Sequence, residues 1–76
     1  MNNLDKKNFK IRLLKLALLK STGTPADLAF RFEISERSVK RIVSELRAEG
    51  VHLKFSQSVV SYLTDETAKN YLKHVV

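Results

Sequence analysis

Arg37 and Arg41 stand four residues apart, with Ser38, Lys40, Ser44 and Arg47 around them. On a helix that spacing stacks the two guanidinium groups on one face, a turn apart. A guanidinium is a permanently charged, planar fork of donors that fits a carboxylate, a phosphate or the O6/N7 edge of guanine two bonds at a time. Two such forks flanked by hydroxyl and ammonium groups are suited to holding an anionic surface, not to making or breaking bonds. Thr24 and Ser35 each precede a helical stretch, where a hydroxyl at the positive end of the helix dipole can stand beside a phosphate. A helix fits the major groove of B-DNA. That fit would put Arg37, Ser38, Arg41 and Ser44 at base edges and Thr24, Ser35, Lys40, Arg47 and Lys54 at phosphates. The competing arrangement is a solvated helix face, with Arg41 paired to Glu45 one turn on.

Constellations for catalysis are missing from the sequence. His52 and His74 have no metal-ligand spacing, and there is no cysteine to supply a thiolate. Gly23 and Gly50 stand alone, so no glycine-rich loop is present to cradle a phosphate. Asp65 and Glu66 open a helical stretch, where capping and dipole effects account for them. Ser21 and Ser58 have no recognisable base beside them, and Tyr62 and Tyr71 read as core aromatics with wet hydroxyls. The expectation is a protein that is not an enzyme and takes no cofactor, metal or small-molecule ligand.

The charge balance agrees with an anionic partner. The 76 residues carry a formal net charge of +6 and a sequence pI near 9.9, which attracts nucleic acid, acidic protein and anionic lipid alike. Lys6, Lys7, Lys10, Arg12, Lys15 and Lys20 load the first segment, and Arg37, Lys40, Arg41 and Arg47 a later one. No apolar run is long enough to cross a bilayer, and Arg12 and Lys15 break the stretch from Ile11 to Leu19 that a signal peptide would need. Together with the absence of cysteine this points to a reducing cytoplasm.

The elements that must position the arginines follow from periodicity. Phe9, Leu13, Leu16 and Ala17 recur at helical spacing and predict a first helix over about 4–20. Ile11, Leu14 and Leu18 form a second apolar line on that helix, to be covered by the C-terminal segment or by another copy of the chain. Thr24, Pro25 and Asp27 announce a second helix over about 25–32, with Leu28, Ala29 and Phe32 facing inward. If the turn after it needs a left-handed residue at Glu33, that residue is strained there. Ser35 caps a third helix over about 36–49 that Gly50 ends. Val39, Ile42, Val43 and Leu46 make its inner stripe, opposite Arg37, Arg41 and Ser44, with Lys40 and Arg47 on the flanks.

Past Gly50 the period becomes two. Val51, Leu53 and Phe55 alternate with His52 and Lys54, and a second run follows from Val59 to Leu63, predicting a hairpin over about 51–63 with Ser56, Gln57 and Ser58 at its tip. A last helix is expected over about 65–74, with Ala68, Leu72 and Val75 on its apolar face and Tyr71 adjacent. The fold class is α+β and mostly α: a three-helix core, a two-stranded hairpin and a short C-terminal helix in one domain.

The run from Thr24 to Leu63 resembles the winged helix-turn-helix domains of bacterial transcription regulators of the DeoR and biotin-repressor type. The resemblance rests on the Leu28-Ala29 pair, Phe32, Ile34-Ser35, Ser38-Val39-Lys40-Arg41, Leu46-Arg47, Gly50-Val51 and Tyr62. It implies that Ser35 through Arg41 open the recognition helix, that the hairpin is the wing, and that the partner is double-stranded DNA of the bacterial nucleoid. Two departures bear on that. The tip has neither the glycines nor the basic residues that wings commonly carry, and the effector domain usual in the family has no counterpart, so no ligand sensing carries over. A homodimer is expected to form through Ile11, Leu14, Leu18, Phe30 and Tyr71. The rival reading is a winged-helix module that docks a protein without touching DNA.

Overall fold

In the computed structural model, residues 3–75 are described. The first helix, α1 (Asn3–Leu18), ends two residues sooner than its periodicity suggests. Lys20 takes a left-handed φ of 56°. The Ser21 and Lys20 amides then close back on the Leu16 and Ala17 carbonyls at 3.0 Å each, the bonding of a Schellman stop. The second helix, α2 (Pro25–Phe32), begins as its sequence predicts, with Thr24 and Asp27 forming a reciprocal capping box. It stops at Glu33, left-handed at φ 56° and ψ 42°, which is the strained position expected there. The third helix, α3 (Glu36–Ala48), carries Val39, Ile42, Val43 and Leu46 into the core.

Antiparallel strands β1 (Lys54–Ser56) and β2 (Ser61–Leu63) follow, paired Lys54 to Leu63, Phe55 to Tyr62 and Ser56 to Ser61. The hairpin is shorter than its alternation implies. Ser56 is the last paired residue and not part of the tip. Val59 and Val60 lie in the turn and not in a strand. Val60 is left-handed at φ 51°, a conformation that takes a β-branched residue out of the ladder. Val51 and Leu53 are buried as expected, but ahead of β1 and outside the sheet. The chain closes with α4 (Glu66–Val75). The molecule is thus mostly helical α+β, four helices and one two-stranded sheet among the described residues, an arrangement compatible with a small winged-helix-like fold.

One core unites these pieces. Phe9 and Phe32 meet edge to face at 4.8 Å, locking α1 to α2. Leu13, Leu14, Leu28, Val39 and Leu46 are fully enclosed, and α4 packs on α1 with Ala68 buried and Leu72 and Tyr71 half-buried in the same cluster. The chain therefore covers much of its own second apolar line. Leu14 is 0% exposed, so the dimer face expected to include it is corrected: Leu14 is core. Ile11, Leu18 and Tyr71 are half-buried, and of the five residues expected on that face only Phe30 stands fully in solvent, at 89%.

A buried polar knot fixes the hairpin to the helices. The Thr22 amide donates to Ser61 Oγ at 3.1 Å, the Tyr62 amide donates to Thr22 Oγ1 at 2.8 Å, and the two hydroxyls bond each other at 3.1 Å. Side chains here perform for β2 what a third strand would do with backbone groups.

Candidate nucleic-acid interface

The outward face of α3 depends first on how the helix begins. Ser35 Oγ accepts from the Ser38 amide at 3.0 Å and donates to Ser38 Oγ at 2.9 Å. Both hydroxyls thus belong to the N-cap, and Ser38 is half-buried beside it instead of facing outward. Thr24 is engaged in the same way at α2, accepting from Asp27 and donating its own amide to Asp27 Oδ2 at 2.9 Å. That backbone bond, then the one with the Thr24 side chain, keeps the Asp27 carboxyl below its ordinary pKa.

Arg37, Arg41 and Ser44 are exposed on α3, and none of the three side chains has a hydrogen bond or ion pair among the described residues. The expected competitor for Arg41 is engaged elsewhere. Lys6 of α1 reaches Glu45 Oε1 at 2.8 Å, and this contact is the first cause of the lowered Glu45 pKa. One turn along each helix, Lys10 holds both Glu49 oxygens at 3.3 Å. Two lysines of the basic first segment therefore hold the acids of the α3 C-terminal half against α1. The opposite face is left cationic.

The remaining expected contacts lie on the flank of α3 that adjoins the hairpin. Lys40 pairs loosely with Glu36 at 3.5 Å, both side chains half or more in water, an arrangement that contributes little and opens readily. Arg47 is exposed, and its Nε donates to the Leu53 carbonyl at 2.9 Å. Lys54 is exposed at the start of β1. On the hairpin, Phe55 and Tyr62 meet edge to face at 5.2 Å. Burial raises the Tyr62 hydroxyl pKa, with Arg47 and Glu36 close enough to act on it in opposite senses. At the tip Gln57 and Ser58 are exposed, and so are Val59 at 47% and Val60 at 46%. No cation lies between Lys54 and Lys69.

Sequence reasoning missed one cluster beside the interface. The His52 amide donates to Thr67 Oγ1 at 2.8 Å, and the His52 ring Nδ1 lies 2.8 Å from Asp65 Oδ2. The other Asp65 oxygen accepts from the Thr67 amide at 2.9 Å and from the Thr67 hydroxyl at 2.6 Å. The Thr67 hydroxyl, then His52, then the Thr67 amide hold the Asp65 carboxyl at about 2. Asp65 caps α4, as its position suggests; its bond to a histidine thirteen residues earlier carries no local signal.

Among the described residues no group of three or more histidine, cysteine, aspartate or glutamate side chains is placed to hold a metal ion, and no helix is long and apolar enough to cross a membrane. Comparison with known proteins by family model, by curated sequence and by solved structure found no match to this chain, so the functional reading rests on its own geometry.

Proposed function

We propose that the chain is a winged helix-turn-helix module that binds double-stranded DNA with sequence selectivity, in transcriptional control or a related transaction on the bacterial nucleoid. The observation that carries the reading is the pair of exposed guanidinium groups of Arg37 and Arg41 on α3, neither in an ion pair among the described residues, with Glu45, the acid one turn from Arg41, bound by Lys6. In this reading α3 lies in the major groove, with Arg37 and Arg41 reading guanine edges and Ser44 beside them. Lys40, Arg47 and Lys54 then face the sugar-phosphate backbone. Ser35 and Ser38 serve by holding the first turn of α3 in shape. A two-fold site would require a second copy to meet Phe30 and the half-buried Ile11, Leu18 and Tyr71.

A second reading, a protein-docking module, is favoured by Phe30 and by Leu19, exposed at 89% and 75%. Selection from a random duplex pool, followed by fluorescence anisotropy over a salt series, separates the two. DNA binding predicts enrichment of a sequence and an affinity that falls steeply with salt. Arg37→Ala and Arg41→Ala should each remove about 1–3 kcal/mol of discrimination at one base position. No enrichment, or binding indifferent to both substitutions, refutes the DNA reading.

A further inference from the structure

Between the end of α3, the chain leading into β1 and the end of β2 lies a shallow concavity of about 430 Å³ lined by Arg47, His52, Lys54 and Asp65 over an apolar floor of Val51 and Leu53. We infer that this notch holds one phosphate group of the bound duplex, with Arg47, Lys54 and the doubly protonated ring of His52 as its donors. The inference rests on the DNA reading above and adds His52 to it.

The arrangement of the three basic side chains carries the argument. Arg47 is tethered through Nε to the Leu53 carbonyl at 2.9 Å, which fixes its stem and leaves the two terminal nitrogens as the free end of the fork. Leu53 is the residue between His52 and Lys54. Burial alternates along this stretch, with Val51 and Leu53 buried and His52 and Lys54 exposed, and the tethered guanidinium lines the same notch. His52 is held as well. Asp65 takes its Nδ1 at 2.8 Å, so the ring is oriented and Nε2 has no hydrogen bond among the described residues.

Two negative features adjoin the notch, and both are answered locally. The Asp65 carboxylate already accepts from His52, the Thr67 amide and the Thr67 hydroxyl. The carbonyl end of α3 is closed by the Val51 amide on Leu46 and the Gly50 amide on Arg47, at 3.0 and 3.1 Å, which weakens the pull of the helix dipole against an anion. Arg47 and Lys54 form no ion pair among the described residues, so the lining is net positive. The hairpin tip beyond it has no cation at all. Backbone contact from this side of the molecule is thereby assigned to the base of the hairpin instead of its tip.

The test is anisotropy on a selected duplex with wild-type protein, Lys54→Gln, His52→Gln and, as a control for net charge, Lys73→Gln on α4. Losing one phosphate contact flattens the plot of log affinity against log salt by about 0.9, so the wild-type advantage over Lys54→Gln should shrink about threefold between 50 and 200 mM salt. Lys73→Gln should leave the slope unchanged. His52→Gln also loosens the bond to Asp65, so its melting temperature is read alongside; Lys54→Gln is free of that complication. Duplex binding with Lys54→Gln and Lys73→Gln indistinguishable in slope overturns the notch and leaves the DNA reading standing. Wild-type protein that ignores every duplex overturns the DNA reading. In that case inorganic phosphate, titrated while the amide NMR signals of residues 52–54 and 63–65 are followed, decides the notch. Shifts abolished by Lys54→Gln reassign it to a small phosphorylated ligand, and their absence removes it.

Discussion

Glu33→Gly should stabilise the protein, although glycine is usually the poorer residue beside a helix. Glu33 closes α2 in a left-handed conformation, φ 56° and ψ 42°, and its exposed side chain forms no hydrogen bond or ion pair among the described residues. The tight turn it forms is held by the Ile34 amide on the Ala29 carbonyl at 3.0 Å, a backbone bond that glycine keeps. Holding an L-residue left-handed costs about 1–2 kcal/mol. Glycine removes that strain but widens the unfolded ensemble, which gives back about 0.4–1 kcal/mol. The net gain is at most about 1.6 kcal/mol with a midpoint of about 0.8 kcal/mol, and that midpoint in a chain of this size raises the melting temperature by about 3–6 °C. Glu33→Ala is the control, because it removes the same carboxylate and keeps the β-carbon that causes the strain. Urea unfolding should show a higher midpoint for the glycine variant at unchanged slope, and no comparable gain for alanine. Equal stability of the two variants would refute the claim that backbone strain resides at this turn.

Three further outcomes follow from other parts of the structure. Thr22→Val should destabilise by about 1–3 kcal/mol, because it leaves the buried Tyr62 amide and Ser61 hydroxyl short of a partner, whereas Thr22→Ser should retain most of the stability; equal urea midpoints would dismiss the polar knot. Asp65 titrates at about 2 in the fold against an ordinary 3.8. Its ionised form therefore stabilises the protein fully above pH 3.8, and that contribution fades as pH falls through about 2. The stability gap between wild type and Asp65→Asn should accordingly be constant near neutrality and narrow on acidification, and a gap undiminished at pH 2 would contradict the assignment. Leu14→Ala should cost about 2–5 kcal/mol as a core truncation, with a loss that is the same at all protein concentrations; a concentration-dependent loss would return Leu14 to an interface between copies.

What the sequence disclosed and what it withheld divide by range. The starts of α2 and α3 were legible because a cap is a conversation among four neighbouring residues: Thr24 with Asp27, Ser35 with Ser38. The inner stripe of α3 was legible for a similar reason, since Val39, Ile42, Val43 and Leu46 recur at the helix's own period. Strain at Glu33 could be foreseen from the shortness of its turn. Nothing local marks Lys20 or Val60 as left-handed, because tertiary contacts on either side dictate where the chain must reverse. Val60 in particular reads as a strand residue by propensity, and the strand was drawn too long on that account.

The electrostatics of α3 show the same limit more sharply. Within the helix, Glu45 has one obvious partner, Arg41, a turn away. The structure gives it Lys6 instead, and gives Glu49 to Lys10, both across thirty-nine residues of sequence. Both pairings come from the packing of α1 on α3, and no window along the chain contains them. Yet they decide the character of the outward face. With Glu45 free to answer Arg41, the helix would be a solvated surface of balanced charge. With Glu45 bound to Lys6 of α1, it acts on Arg41 only at a distance, and neither guanidinium group forms an ion pair among the described residues. The basic first segment thus acts on the α3 face from a distance: its lysines take up Glu45 and the C-cap Glu49, and a duplex would meet the cations that remain.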